Sequence, residues 1–468
     1  MGRKNVAFNG IARLLLVFFM ACLFSVSLIL TGEAGDGSTF TLREAIDYAL
    51  SHNQDLARTR ERVHEVQGMK KEAVADALPQ VSTSIDSFRY RDPGILNSPN
   101  FQDFINDPNS PFPREALLPR PVNMYNVTFS LEQPIYSWGK LGKTVEAARI
   151  EFETTDLNIR AKEQEIAYNI AIAYYNLLLS YERLKVLEKA EETQENNLKI
   201  VSDKYEVETA TKLDLLKAKT ALSNLIPQRI AAENDVKIAR AHLNYLMGRK
   251  IDEPLTLADS LYISEDLPSQ DLTRYALIAF RERPDLASLD SGIRFLEKRI
   301  EIEKLSLRPS FNFFGNFGWS TIEMENVGKS DYESWRVGIG FKVTLFDGFR
   351  ISGRIMQVQS QIMQNTLQKK YLESGITLEI EKTLKELTRA YESLQAALTA
   401  QEEANETLKV AQDNFDLNLA TQLDVLYSES QVRQAELNVA QARRDCLAAR
   451  ASLKYLIGLD ITKDLSVE

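Results

Sequence analysis

The sequence contains the same message twice. Residues 41–57 read TLREAIDYALSHNQDLA and residues 271–287 read DLTRYALIAFRERPDLA, so that Asp55-Leu56-Ala57 falls on Asp285-Leu286-Ala287 and Pro79 on Pro309, an offset of 230. Farther on, KYEVETATKLDLLKAKTAL at 204–222 matches NFDLNLATQLDVLYSESQV at 414–432, and Leu243, Tyr245, Leu246 and Gly248 recur as Leu453, Tyr455, Leu456 and Gly458, an offset of 210. Solenoid periods are about 20 to 50 residues, so a repeat of this size is one duplicated structural unit. The 20 residues between the two offsets are an insertion in the first copy.

Within each copy the periodicity changes at the proline. Residues 42–76 have helical composition that stops before Leu78-Pro79, and the second copy stops at Arg308-Pro309. Beyond it the period is two. Phe311, Phe313, Phe317 and Trp319 alternate with Asn312, Asn316, Gly318 and Ser320, while Val337, Ile339, Phe341, Val343 and Leu345 alternate with Gly338, Gly340, Lys342 and Thr344. Tyr125, Val127, Phe129 and Leu131 repeat the pattern in the first copy. The expected strands are 79–91, 122–136, 309–321 and 333–346, each with one apolar and one polar or glycine face. The first hairpin's connection, with Pro93, Pro99, Pro108, Pro111, Pro113, Pro119 and Pro121, reads as an irregular loop and holds the insertion.

Each second strand leads through a glycine-bearing turn, Ser137-Trp138-Gly139 or Asp347-Gly348, into a helix of unusual length. No proline interrupts 142–205, roughly 95 Å of helix at about 1.5 Å per residue. In the second copy Ile380, Leu384, Leu387, Tyr391, Leu394 and Leu398 alternate spacings of four and three, a coiled-coil seam. A returning helix follows Thr211 or Thr421; Ala435, Val439, Ala442, Cys446, Ala449, Leu453 and Leu456 line the second one. Pro227 is expected to kink the first returning helix or to be tolerated at a bend in it, and the second copy has Leu437 there.

Four strands cannot close a barrel, and a flat sheet with one aromatic-rich face leaves edges and apolar surface exposed. The helices already have heptad partners of their own. The remaining solution puts the apolar face against lipid and closes the sheet by sharing it among chains, with Tyr136, Trp138, Trp319, Trp335 and Phe346 at the membrane interfaces.

The leader fits that destination. Residues 1–13 carry three basic residues and no acidic one, 14–30 are apolar, and Gly32-Glu33-Ala34 offers small residues at cleavage spacing, so 1–34 reads as a secretory signal peptide. Phe19-Met20-Ala21-Cys22 has a faint lipoprotein-box character, which the continuing apolar run opposes. Cys446 is then the one cysteine left, so this exported chain is held by packing alone. The net charge of −10 speaks against nucleic acid as a partner.

The order helix, hairpin, very long helix, short turn and returning helix, given twice, with Gln133-Pro134-Ile135-Tyr136 ending a strand and Thr-x-Leu-Asp-Val/Leu-Leu after each turn, resembles the TolC-type outer-membrane efflux proteins. The resemblance spans residues 42–458. It implies a mostly α fold with a transmembrane β part, in which three chains share a twelve-stranded barrel and a twelve-helix periplasmic tunnel. The units are then 35–248 as first repeat, 249–270 as equatorial linker, 271–458 as second repeat and 459–468 as tail. Implied partners are two further copies of the chain, outer-membrane lipid, a periplasmic adaptor and an inner-membrane transporter; no cofactor is implied. The rival is a periplasmic coiled-coil adaptor, which has no need of four lipid-type strands.

His52, His64 and His242 are scattered, and no phosphate loop, nucleophile elbow or zinc motif occurs, so neither a catalytic nor a metal site is expected. Asp214 and Asp424 each stand three residues after the threonine that begins a returning helix. That spacing suits a capping box. By the resemblance, Asp424 falls near a periplasmic aperture with Tyr427 and Asp214, where a ring of carboxylates attracts cations. The turns with Glu208, Thr209, Ala210 and with Asn418, Leu419, Ala420 are the implied adaptor-docking tips. Relatives often have glycine in these turns, and some latch the aperture with an arginine and a second aspartate. Here Ala420 and Tyr427 fall about there, so that latch does not carry over.

Overall fold

The computed structural model describes residues 39–91, 99–108, 120–263, 267–417 and 419–463. The leader with Cys22, most of the proline-rich connection, and Asn418 lie outside these residues.

The first repeat runs β1 (Thr39–Phe40), α1 (Leu42–His52), α2 (Gln54–Ala75), β2 (Gln80–Tyr90), α3 (Pro99–Asn106), β3 (Val122–Tyr136), α4 (Lys140–Glu206) and α5 (Lys212–Met247). After β4 (Thr256–Leu257), the second runs α6 (Leu272–Glu282), α7 (Pro284–Leu305), β5 (Ser310–Thr321), β6 (Glu333–Lys342), α8 (Arg350–Asp416) and α9 (Gln422–Leu456). Both long helices have 67 residues, about 100 Å each.

Three expectations need correction. The helix expected over 42–76 is two helices, broken at Asn53, whose side-chain oxygen accepts from Asp55 N and Leu56 N at 2.9 and 3.0 Å and so starts α2 afresh. The second copy breaks at Arg283, with Pro284 in the first turn of α7. The fourth strand stops at Lys342 rather than 346, because its partner β5 begins at Ser310, opposite Lys342, and leaves Val343 onward without a ladder. The proline-rich connection is not wholly irregular, since it contains α3. Pro227 sits inside α5, which runs on through it.

The four long strands form one antiparallel sheet in the order β2-β3-β5-β6. The helices follow the same order. α4 packs against α2 and α5 on one side and α7 and α9 on the other, and α8 packs against α6, α7 and α9. Each chain is therefore a plank of four staves: α2 with α5, α4, α7 with α9, and α8, with a strand continuing the end of each.

The core lies between staves. Ile166, Ile170, Tyr174 and Leu177 of α4 pack on Ala45, Ile46 and Leu56 beside Leu243 and Met247 of α5; Ile380, Leu384 and Leu387 of α8 pack on Leu286, Val439, Cys446 and Leu453. The seam residues are as the heptad spacing requires. Cys446 is fully buried, and burial pushes its thiol up to about 11, so it is an inert small core residue. The 249–270 segment buries Leu255 and Leu261 in the first cluster and pairs β4 with β1 in parallel. Tyr174 anchors it, donating to Asp259 Oδ2 at 2.7 Å.

The two repeats meet this waist by one device. Asn53 Nδ2 donates to Leu246 O at 2.7 Å, and Arg283 Nη1 donates to Leu456 O at 3.0 Å, so the break in each first helix caps the end of the returning helix. Gly248 and Gly458 make that approach possible. Both have positive φ, and a Cβ would stand 2.5 Å from His52 O at the first and 3.1 Å from Arg283 N at the second.

Candidate functional site

Two regions carry surface that the fold of a single chain does not explain, the sheet and the far helical tips. In the sheet, register and pleat settle the faces. Val81, Leu131, Gly315 and Val337 are cross-strand partners, as are Ile85, Val127 and Trp319, and Phe129, Phe317 and Trp335. All point to one side. The opposite side holds Ser82, Ser84, Asp86, Thr128, Ser130, Asn312, Asn316 and Arg336. Within the four-stranded part, β5 also puts Phe314 on this side, its ring lying against Gly338, where a Cβ would stand 2.9 Å from it. The apolar side is left bare: Val81 and Ile85 are 74 % exposed, Trp335 73 % and Ile339 68 %. A water-facing sheet inverts this pattern, and a lipid-facing one requires it.

The five aromatic residues expected at the interfaces divide between the two ends of the sheet. Trp319 and Trp335 stand at the end remote from the helices. Tyr136, Trp138 and Phe346 stand at the helical end, where Tyr136 and Trp138 have ring centroids 5.2 Å apart and Phe346 and Phe349 5.6 Å apart. Phe311 and Trp319 on β5 are eight residues apart, about 27 Å along the strand. Both turns into the long helices place two successive residues at positive φ, Trp138-Gly139 and Gly348-Phe349. A bulky aromatic in that conformation is strained, and both repeats retain one there.

At the tips, the capping-box reading holds in full. Asp424 Oδ2 accepts from Thr421 N at 2.8 Å and Thr421 Oγ1 at 2.7 Å, and Asp214 Oδ2 accepts from Thr211 N at 3.2 Å and Oγ1 at 2.6 Å. The threonine hydroxyl bonds hold both carboxyls below their ordinary value. Asp424 and Tyr427 are exposed and Asp214 is half-buried. In the first turn Glu208 is held at φ 60, and Lys204 O accepts from Thr209 N and Ala210 N at 2.9 and 3.1 Å. Leu419 N and Ala420 N repeat these bonds to Asn414 O. Lys204 Nζ lies 4.6 Å from the Phe415 ring centre, joining the ends of α4 and α8. Val207, Leu213, Leu417, Leu419 and Leu423 project around these turns, each at least half exposed.

Sequence reasoning missed one further group. Buried Gln194 of α4 donates through Nε2 to Glu429 of α9, beside Arg433, Asn405 and a cavity of about 130 Å³. Burial raises the Glu429 carboxyl and lowers the Arg433 guanidinium. No local motif marks it, because its members come from three helices. His64 and His242 are exposed and His52 stacks on Tyr48 at 4.1 Å. Among the described residues no group of histidine, cysteine and carboxylate side chains converges as metal ligands do.

The whole architecture has counterparts. The chain is 23% identical over 74% of its length to the alkaline protease secretion protein AprF of Pseudomonas aeruginosa, covering 72% of that protein. It is 21% identical over 82% of its length to the outer membrane efflux protein BepC of Brucella suis, covering 86% of it. The crystal structure of the outer membrane protein VceC from Vibrio cholerae superposes with a TM-score of 0.69 at 17% identity, over 90% of this chain and 96% of that one. The family model described as outer membrane efflux protein matches residues 45–249 and 278–459, the two repeats in turn, and the chain belongs to that family.

Proposed function

We propose that this chain is one third of a closed outer-membrane conduit that carries cargo passively from a periplasmic adaptor and inner-membrane transporter to the exterior. The observation that carries the reading is the matched order of strands and helices. Because both layers run in one sequence, the free sheet edges β2 and β6 fall on the same two sides as the free helical staves. Copies placed side by side then extend sheet and helical wall together, and rotation closes the edges.

The staves are prepared for such neighbours. Met356, Met363, Leu367, Tyr371 and Leu378 form an exposed stripe on α8, and Ile226, Ile230, Ile238 and Tyr245 form another on α5. These are the two outer staves. Three copies give twelve strands, a membrane barrel of ordinary size, over twelve helical staves.

In this assembly the apolar sheet face meets lipid, the polar face lines the pore, and the two aromatic bands sit at the interfaces. The turns at 207–210 and 417–420 face the periplasm and dock the adaptor through their exposed leucines and valine. Asp424 keeps its capping bonds there, so any carboxylate ring at the aperture is made of already engaged groups. Energy comes from the transporter; nothing in the conduit needs to turn over a substrate.

Carbonate washing of membranes from expressing cells tests the reading. The protein should stay in the outer-membrane fraction and leave it in detergent as a particle of three chains. Release by carbonate would instead favour a periplasmic adaptor.

A further inference from the structure

The two faces of the sheet exchange character at its outer end. Up to the level of Ser87, Tyr125 and Thr321, which pair across β2, β3 and β5, one face is apolar and the other polar. Above that line, among the described residues, the first hairpin continues without a third strand, through the pairs Phe88↔Met124, Arg89↔Asn123 and Tyr90↔Val122. This overhang is about 10 Å long. Arg89 and Asn123 now occupy the side that below carries Val81 and Ile85. Phe88, Tyr90, Val122 and Met124 occupy the side that below carries Ser82, Ser84, Asp86 and Thr128.

Polar residues on the former lipid side are expected once the strand has left the hydrocarbon. Apolar ones on the pore side are not, since that side is wet along its whole length. Val122 and Met124 are only half-buried, and the two aromatics are open. Phe88 and Tyr90 keep 46 % and 39 % of their surface exposed, with ring centroids 5.7 Å apart.

From this inversion we infer that Phe88, Tyr90, Val122 and Met124 form an apolar collar inside the exit of the pore, contacting cargo as it leaves and favouring amphiphilic organic molecules over hydrated ions. The inference rests on the barrel reading above, because closure is what turns three such patches toward a common axis. An apolar constriction opposes water and small hydrated ions by dewetting. A molecule with aromatic or alkyl surface loses less there, and one that is also cationic gains from the faces of Phe88 and Tyr90.

Purified protein in planar bilayers tests this with two reagents added on the outer side. Tetraphenylphosphonium, an apolar cation, should reduce the wild-type current, and the Phe88→Ser/Tyr90→Ser double variant should need a several-fold higher concentration for the same block. A bulky impermeant maleimide should reduce the current of Phe88→Cys by adding bulk inside the exit. It should leave unchanged both Ile85→Cys, which faces lipid, and the wild type, whose Cys446 is buried. Equal block of wild type and double variant, or an unresponsive Phe88→Cys in a protein that conducts, overturns the collar and leaves the channel standing. A wild-type protein that carries no current removes the barrel, and the collar with it.

Discussion

The first and second repeats solve the same mechanical problems with different residues, and the differences show which requirements are physical. Each repeat must stop a helix at the waist so that a returning helix can abut it. The first uses asparagine, whose side chain caps α2 and reaches Leu246 O; the second uses Arg283 before Pro284, with the guanidinium reaching Leu456 O. Each must also turn from a strand into a 67-residue helix. One does so with Trp138-Gly139 and the other with Gly348-Phe349. What persists is a carbonyl capped from a neighbouring helix and a left-handed pair bearing an exposed aromatic. What varies is which residue supplies it.

The comparison breaks most severely at the sheet, where the two faces rather than the two repeats are set against each other. Val337→Arg places a charge midway along the apolar face. It should cost about 2 to 4 kcal/mol per chain near the bilayer midplane and abolish recovery of assembled protein from the outer membrane. Asn316→Lys, on the opposite face, should assemble normally. Quantitative immunoblotting of outer-membrane fractions compares the two.

At the waist, Gly248→Ala should destabilise by about 1 to 3 kcal/mol, and Gly458→Ala by less, because a Cβ would press to 2.5 Å at the first site and 3.0 Å at the second. Thermal unfolding followed by helical circular dichroism gives the order. Equal effects would mean that the two junctions do not relax as their contacts indicate. Asn53→Ala should cost about 1 to 2 kcal/mol, since it removes a cap and a carbonyl partner together.

The tips provide the smaller effects. Glu208 carries a side chain at φ 60, so Glu208→Gly should stabilise the protein by about 1 kcal/mol or less. Titration distinguishes the tip acids by sign. Asp424 has its carboxyl lowered, so its contribution is present above the ordinary carboxylate value and disappears as pH falls through the lowered one. Glu429 has its carboxyl raised by burial, so the stability attached to it is greatest in acid and is lost as pH rises through the raised value. Glu429→Gln should therefore raise the melting temperature at neutral pH and lose that advantage in acid. Asp424→Asn should lower it at neutral pH and make little difference in acid.

Much of this architecture was legible in the chain because its strongest signals are periodic. Alternation in β3 and β5 placed those strands to within a residue, and heptad spacing identified the α8 seam. The interruptions were less visible. Asn53 and Pro284 are ordinary helix-start residues, yet each stands within an unbroken helical composition, and the reason to stop there is the distant end of a returning helix. Val343 and Leu345 alternate as well as the residues before them; only the length of β5 ends their ladder. At the tips, Thr211 and Asp214 announced their capping box locally, whereas Gln194 and Glu429 are joined only by the packing of α4 on α9. The inversion at Phe88 and Tyr90 is a slip in the phase of the alternation, from odd positions at Val81 and Ile85 to even ones, and the register of β2 on β3 was needed to show that Val122 and Met124 join them on one face.

The central claim is that a plank with two free edges becomes a conduit by closing on its own copies. Single-channel recording from the purified protein in planar bilayers tests it most directly. Particles of three chains should insert and give discrete, uniform current steps. A protein that remains a single chain and carries no current would contradict the account.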